Sequence, residues 1–126
     1  MKIQKKHAFA AAIVVGLAII VFILLNSSST KAGKYGDFAK CLTANGVKEY
    51  GAFWCSHCQA QKKLFGSSWK YVNYTECSLP DGSGQTEVCN KANITGYPTW
   101  EFKSGERLSG EVSLEGLAIK SGCGLG

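Results

Sequence analysis

The sequence has little excess charge and no internal periodicity. Its 14 Lys and Arg residues stand against 9 Asp and Glu residues, a formal net charge of +5 in 126 residues. Three of the positive residues, Lys2, Lys5 and Lys6, lie in the first seven positions, so the remainder is nearly balanced. A nucleic-acid-binding surface needs a concentrated basic face. We therefore expect no nucleic-acid partner, and the lack of repeats or heptads indicates neither a repeat array nor a coiled coil.

What the chain does contain is apolar residues and cysteine. Apolar residues make up 45% of the sequence, which excludes an intrinsically disordered chain. The length suits one small domain with an appendage. Six cysteines in a chain of this size indicate an oxidising compartment, a metal site or thiol chemistry.

The appendage is an unbroken apolar run at residues 8–25, AFAAAIVVGLAIIVFILL. As a helix it would be about 27 Å long, close to the hydrocarbon thickness of a bilayer. Because the basic flank 1–7 precedes it, we predict a single-pass anchor of the cytoplasmic membrane. The C-terminal domain would then lie in the periplasm or an equivalent extracytoplasmic or lumenal space. A cleaved signal is the alternative, since the serines at 27–29 suit a peptidase.

The rest of the chain divides into a flexible polar tether, 26–34, and a folded domain, 35–126. Hydrophobic patterning predicts helices at 37–46, 55–65, 85–92 and 113–121, the first capped by Asp37. It predicts strands at 47–54, 69–75, 99–103 and 107–109. This order indicates an α/β protein whose mixed central sheet has helices on both faces, the outline of a thioredoxin fold.

The strongest motif is Cys55-Ser56-His57-Cys58, preceded by Trp54, at a junction of strand and helix. A helix N-terminus stabilises a thiolate, and His57 would add positive charge, which favours the reduced pair and makes its disulfide oxidising. We expect Cys55 to be the exposed attacking sulfur and Cys58 the buried resolving one. Trp54 and Ser56 are candidate substrate contacts. A static disulfide or half of a zinc site is the alternative.

Two further positions are candidates for the same site. In a thioredoxin fold, Pro98 would be a cis proline beside the sulfurs, and the Tyr97 backbone would pair with an extended substrate. An ordinary proline that starts a strand is the alternative. Glu49, six residues before Cys55, could exchange a proton with Cys58 if it is buried. Otherwise it is a solvent-facing partner of Lys48.

The sequence resembles the thioredoxin-like domain found fused to bacterial and plant vitamin K epoxide reductase homologues, over roughly residues 35–123. That resemblance implies a redox pair at Cys55 and Cys58 and a cis proline at Pro98. It also implies disulfide exchange between secreted substrate proteins with cysteines and a quinone-coupled membrane enzyme. The matching segments are YGAFWCSHCQAQKKLFG (50–66), YTEC (74–77), QTEVC (85–89), ITGYPTWEF (94–102) and LSG (108–110).

The sequence departs from that family in two respects. The four-helix quinone-reducing portion is not among these residues, so we expect a separate membrane partner that generates disulfides, a vitamin K epoxide reductase homologue. Ser56 occupies a position that is often proline in the family, which leaves the redox poise open. Glu49 matches the acidic position of disulfide isomerase domains better than it matches this family.

Four cysteines lie outside the CxxC motif. Cys77 and Cys89 flank the loop at 80–84, and a bridge between them would close that loop, the pairing that the resemblance also implies. A second redox-active pair is the alternative. Elimination then pairs Cys41 with Cys123, although their separation cannot be read from sequence.

Together these features predict a membrane-tethered protein thiol–disulfide oxidoreductase that acts in oxidative folding. Its redox group would be the Cys55–Cys58 disulfide, with no metal and no further cofactor. Two alternatives stay open. One is a reductant or isomerase of the same fold, because sequence does not set the direction of electron flow. The other is a copper or zinc module with Cys55, His57 and Cys58 as ligands.

Overall fold

The computed structural model describes residues 2–25 and 33–126, which fall into two units divided between residues 31 and 32. The first unit is helix α1, Lys2–Leu25. Residues His7–Leu25 have a mean hydropathy of 3.1 and are long enough to cross a membrane, and a signal sequence would have the same properties. Most of the predicted tether, 26–32, lies outside the described residues. The predicted domain boundaries therefore stay predictions.

The second unit contains four helices, a 3-10 helix and four short strands. The helices are α2 (Gly36–Ala44), α3 (Ser56–Phe65), α4 (Glu87–Lys91) and α5 (Leu114–Ser121), and the 3-10 helix is Gly66–Tyr71. The strands are β1 (Lys48–Gly51), β2 (Tyr74–Glu76), β3 (Thr99–Glu101) and β4 (Arg107–Ser109).

The strands form one mixed sheet in the order β2-β1-β3-β4. Strand β1 pairs parallel to β2 and antiparallel to β3, and β3 pairs antiparallel to β4. The parallel β1–β2 pair is joined through helix α3, as a crossover connection requires. This topology confirms the predicted α/β thioredoxin fold.

Helices cover both faces of the sheet. On one face, Trp100 is fully buried against apolar side chains from α2, α3 and α5, with Phe38, Phe65 and Leu117 at the centre of the cluster. The Phe65 ring lies 6.1 Å from the Trp100 ring and 6.0 Å from the Phe38 ring. Side chains alternate along a strand, so the opposite face carries Tyr50, which packs with Cys77, just after β2, and Cys89 of α4.

Two disulfides hold the second unit together. Cys41 on α2 is bonded to Cys123, which follows α5, across a separation of 82 residues. Cys77 is bonded to Cys89 on α4, across 12 residues. Both bridges pair the cysteines as the sequence predicts. Cys77 and Cys89 are fully buried, which favours a structural bridge over a second exchanging pair.

Some predicted elements are wrong in detail. Of the strand predicted at 69–75, the first three residues lie in the 3-10 helix and only Tyr74 and Thr75 belong to β2. The Trp69 ring packs against Phe65 and Tyr74 at 5.6 Å each, so tertiary packing overrides the strand preference of this aromatic segment. Asp37 lies in the first turn of α2 and does not cap it. Ser113 caps α5 through Gly116 N–H, as expected.

Candidate active site

The CxxC motif lies where the chain leaves the sheet and enters α3. Cys55 is the N-cap residue of this helix, and its sulfur accepts a hydrogen bond from the backbone N–H of Cys58 at 3.4 Å. The two sulfurs are free thiols in this structure. The N-terminal N–H groups of a helix favour negative charge. The motif is therefore placed where a Cys55 thiolate would be stabilised.

Cys55 is not the exposed sulfur that the sequence predicts. It is only 8% exposed, close to the 5% of Cys58. The cause is Tyr97, which packs on both cysteines together with Ala52, and whose carbonyl oxygen lies 3.7 Å from Cys55 Sγ. A substrate has to displace or pair with this segment to reach the sulfur.

The covering segment contains the cis proline that the sequence predicts. The Tyr97–Pro98 peptide bond is cis, and Pro98 is fully buried. The turn is held on both sides, because Thr99 Oγ1 donates to Gly96 O at 2.8 Å and Gly110 N–H donates to Pro98 O at 2.8 Å. Pro98 therefore positions the Tyr97 carbonyl over Cys55.

Aromatic side chains form the surface beside the cysteines. Trp54 is 54% exposed, and its ring meets Tyr97 edge to face at 5.9 Å. Trp54 Nε1 donates to Ser78 Oγ at 2.8 Å, which fixes the ring. The Tyr97 hydroxyl is hydrogen-bonded to the Gln85 side chain. Ser56 is exposed at the start of α3. Trp54, Ser56 and Tyr97 therefore flank Cys55, as the assignment of substrate contacts requires.

Glu49 is a buried acid without a partner. It is completely buried, and neither carboxyl oxygen has a hydrogen-bond partner within residues 33–126. Burial raises the pKa of Glu49 from 4.5 to about 8. The alternative of a solvent-facing glutamate paired with Lys48 is wrong, because Lys48 Nζ contacts Glu101 Oε1 at 3.0 Å. The geometry instead favours a proton carrier.

Cys58 is the sulfur that Glu49 would serve. The pKa of the Cys58 thiol is raised to about 12, chiefly by burial and in smaller part by the neighbouring Cys55 and Glu49. Such a thiol holds its proton at neutral pH. It needs a base before it can attack a disulfide, and an acid when it leaves one as a thiolate.

His57 is directed toward a residue that the sequence analysis missed. Its Nδ1 lies 2.7 Å from Glu111 Oε1, and the two side chains are 70% and 43% exposed. Glu111 precedes α5 and is far away in sequence, so no local pattern could reveal this pair. Among the residues that the structure describes, no group of three or more His, Cys, Asp or Glu side chains could hold a metal ion.

Sequence reasoning also missed a pocket behind Cys58. This pocket of about 180 Å³ is lined by Cys58, Tyr74 and Glu76 together with residues of α3, of the segment that follows β1 and of the 3-10 helix. The Tyr74 hydroxyl donates to Glu76 Oε2 at 2.9 Å. The parallel pairing of β1 with β2 brings these residues next to the motif. The sequence analysis placed Tyr74 in a longer strand at 69–75 without a partner strand, so it did not reveal this placement.

One comparison with known proteins, by sequence, agrees with this chemistry. No family model matches the chain. The chain is similar to thiol-disulfide oxidoreductase LTO1 of Arabidopsis thaliana, with 46% identity over 92 residues that cover 69% of this chain and 24% of that protein. It therefore spans about a quarter of that relative's length. Among solved structures, oxidised thioredoxin O2 of Arabidopsis thaliana aligns with a TM-score of 0.35 and 21% identity, covering 71% of this chain and 85% of that chain. The CxxC motif predicts a thiol–disulfide oxidoreductase, and the relative that is similar in sequence is named as an enzyme of that class.

Proposed function

We propose that the protein is a membrane-tethered, extracytoplasmic thiol–disulfide oxidoreductase that oxidises cysteine pairs in secreted proteins. The observation that carries this proposal is the placement of Cys55. Its sulfur lies at the N-terminus of α3, under the carbonyl of the residue before a cis proline, with Cys58 one helical turn behind it. The similarity to thiol-disulfide oxidoreductase LTO1 supports the same class of reaction.

The reaction begins on the oxidised Cys55–Cys58 pair. A substrate thiolate attacks Cys55, a mixed disulfide forms, and Cys58 leaves as a thiolate. Glu49, which is protonated below about pH 8, donates a proton to that thiolate. A second substrate thiolate then attacks the mixed disulfide, which releases Cys55 and the substrate disulfide. The same steps in reverse describe a reductant or isomerase.

Substrate recognition is assigned to the surface around Cys55. An extended segment would lie along the Tyr97 backbone and contact the exposed ring of Trp54. The Ser56 hydroxyl, at the start of α3, lies at the edge of the same surface. Such contacts suit unfolded chains of varied sequence, because they use the substrate backbone and a single apolar ring.

Reoxidation of the reduced pair is assigned to a second membrane protein. Helix α1 is long and apolar enough to hold the domain at a membrane surface. Tethering raises the effective concentration of the domain at a partner in the same membrane. We propose a vitamin K epoxide reductase homologue that generates disulfides, in the cytoplasmic membrane or a membrane of equivalent sidedness.

Single-turnover exchange tests the proposal. The oxidised full chain in detergent is mixed with a peptide that contains two thiols. We expect one equivalent of peptide disulfide and one equivalent of the reduced chain, and no turnover with Cys55→Ser. Membranes that contain the partner should then restore the oxidised chain, less efficiently once residues 1–30 are removed. Absence of peptide disulfide would refute the oxidoreductase, and equal reoxidation by membranes without the partner would refute the pairing.

A further inference from the structure

Four residues of strands β1 and β2 form a square beneath Cys58. Glu49 is paired with Tyr74, and Gly51 with Glu76. Because side chains two residues apart share a face of the sheet, all four positions lie on the same face. Glu49 is fully buried at one corner, whereas Tyr74 and Glu76 are partly exposed. The square therefore runs from a buried acid to a carboxylate near solvent.

The absence of a side chain at Gly51 leaves room for two functional groups, the Cys58 thiol and the Tyr74 hydroxyl. A Cβ atom at Gly51 would lie 3.1 Å from Cys58 Sγ, 3.1 Å from the Tyr74 hydroxyl oxygen and 2.8 Å from Tyr74 Cε2. The sulfur and the hydroxyl therefore both lie close to Gly51. A side chain at this position would collide with one or both of them, so their approach to the strand requires glycine.

Tyr74 and Glu76 are held in fixed positions by hydrogen bonds. The Tyr74 hydroxyl donates to Glu76 Oε2 at 2.9 Å. Glu76 Oε1 accepts from the backbone N–H groups of Phe53 at 3.2 Å and Ser78 at 2.9 Å. Burial raises the pKa of Tyr74, so its hydroxyl keeps its proton and remains a donor. The carboxylate therefore stays aimed at the tyrosine.

The pocket of about 180 Å³ connects this group to Cys58. Its walls are polar at Cys58, Tyr74 and Glu76, and its volume is ample for several water molecules. The titratable groups that face Cys58 come from all the packed elements. They are Glu49 of β1, Tyr74 and Glu76 of β2, the N-cap residue Cys55 and Lys62 of α3, and Tyr97 of the cis-proline turn.

We propose that this pocket is the route by which Cys58 exchanges protons with solvent, and that Tyr74 and Glu76 are positioning residues that hold its water. The inference rests on the proposed thiol–disulfide exchange. A substrate dithiol gives two electrons and two protons to the Cys55–Cys58 disulfide, whose S–S bond breaks as the substrate disulfide forms. Glu49 protonates the departing Cys58 thiolate, and pocket water, which reaches Cys58, supplies through that thiol the proton that restores Glu49.

The test compares rates with equilibria in the full chain in detergent. Reduction of the oxidised pair by dithiothreitol, a small dithiol, is followed in single turnovers between pH 5 and 9. For Glu76→Gln we expect a rate about tenfold lower and a flattened pH profile, because the pocket water loses the carboxylate that positions it for proton transfer. Tyr74→Phe should show a smaller loss. The reduction potential of both variants should equal that of the wild type. A proton route changes the forward and reverse rates of exchange by the same factor and leaves the equilibrium unchanged.

Matched controls and a rescue experiment separate this role from a structural one. Glu87→Gln and Tyr71→Phe make the same chemical changes outside the pocket and should leave the rate unchanged. Added imidazole, a small proton carrier, should restore the rate of Glu76→Gln. Wild-type pH profiles in both pocket variants, or a slow variant that imidazole does not restore, would overturn the proton route. A wild type that fails to react with dithiothreitol would instead overturn the proposed function.

Discussion

The Cys55 sulfur lies 3.7 Å from the carbonyl oxygen of Tyr97, so the sulfur that we propose reacts first is covered by the residue before the cis proline. This contact explains why Cys55 is only 8% exposed. A substrate backbone that pairs with Tyr97 would take the place of this contact and reach the sulfur in one movement. We therefore propose that the segment covering Cys55 is also the substrate-binding site.

Glu49 makes stability depend on pH. Its pKa in the folded chain is about 8, above the value of 4.5 for an unperturbed glutamate, so the folded state holds a proton that the unfolded state has released. Stability should therefore fall as pH rises from about 4.5 to about 8, by on the order of 3 kcal/mol. Glu49→Gln should remove most of this slope.

Urea unfolding of both chains at pH 5 and pH 8, with the structural disulfides intact, measures the difference. The control is Glu115→Gln, which changes a carboxylate in the first turn of α5. Equal pH slopes for wild type and Glu49→Gln would contradict a protonated, buried Glu49.

His57 and Glu111 should move the reduction potential in opposite directions. Positive charge on His57 favours a Cys55 thiolate, and so favours the reduced pair. His57→Ala should therefore lower the potential by tens of millivolts. Glu111→Gln removes the carboxylate that lies 2.7 Å from the ring, so it should raise the potential.

Equilibration against glutathione buffers gives both potentials. The wild-type value also gives the direction of the enzyme, because about −120 mV suits an oxidant and about −270 mV a reductant. Identical potentials in all three chains would mean that the helix N-terminus alone stabilises the thiolate.

The two structural disulfides should contribute unequally to stability. Cys41–Cys123 closes a much longer loop, 82 residues against 12 for Cys77–Cys89. In the chain-entropy estimate these loops correspond to about 4.5 and about 3 kcal/mol. Paired Cys→Ala substitutions, compared by urea unfolding, should rank in that order. A larger loss from removing Cys77–Cys89 would show that its burial against Tyr50 outweighs loop entropy.

The sequence predicted most of the fold because its signals are local. The CxxC motif, the proline turn and Ser113 as a cap each depend on neighbouring residues, and the structure has all three in place. The predicted functional roles of Cys55, Cys58 and Pro98 remain predictions until exchange is measured. The predicted anchor at 8–25 is a helix of suitable length, and its sidedness also stays a prediction.

The features that sequence did not reveal depend on contacts between distant segments. Cys55 is covered by Tyr97, 42 residues away, and His57 is paired with Glu111, 54 residues away. The segment 69–75 looks like a strand by its aromatic content, yet Trp69 packs against α3 in a 3-10 helix. Neither hydrophobic period nor motif spacing contains such information.

The most direct test of the central claim is the identity of the sulfur that carries a trapped substrate. Mass spectrometry of the full chain after reaction with a cysteine peptide disulfide should find a mixed disulfide on Cys55 in Cys58→Ser, because no resolving thiol remains. Cys55→Ser should trap little, since the Cys58 thiol is buried and its pKa is about 12. Adducts that form equally on Cys58, or on Cys77 or Cys89, would contradict the account.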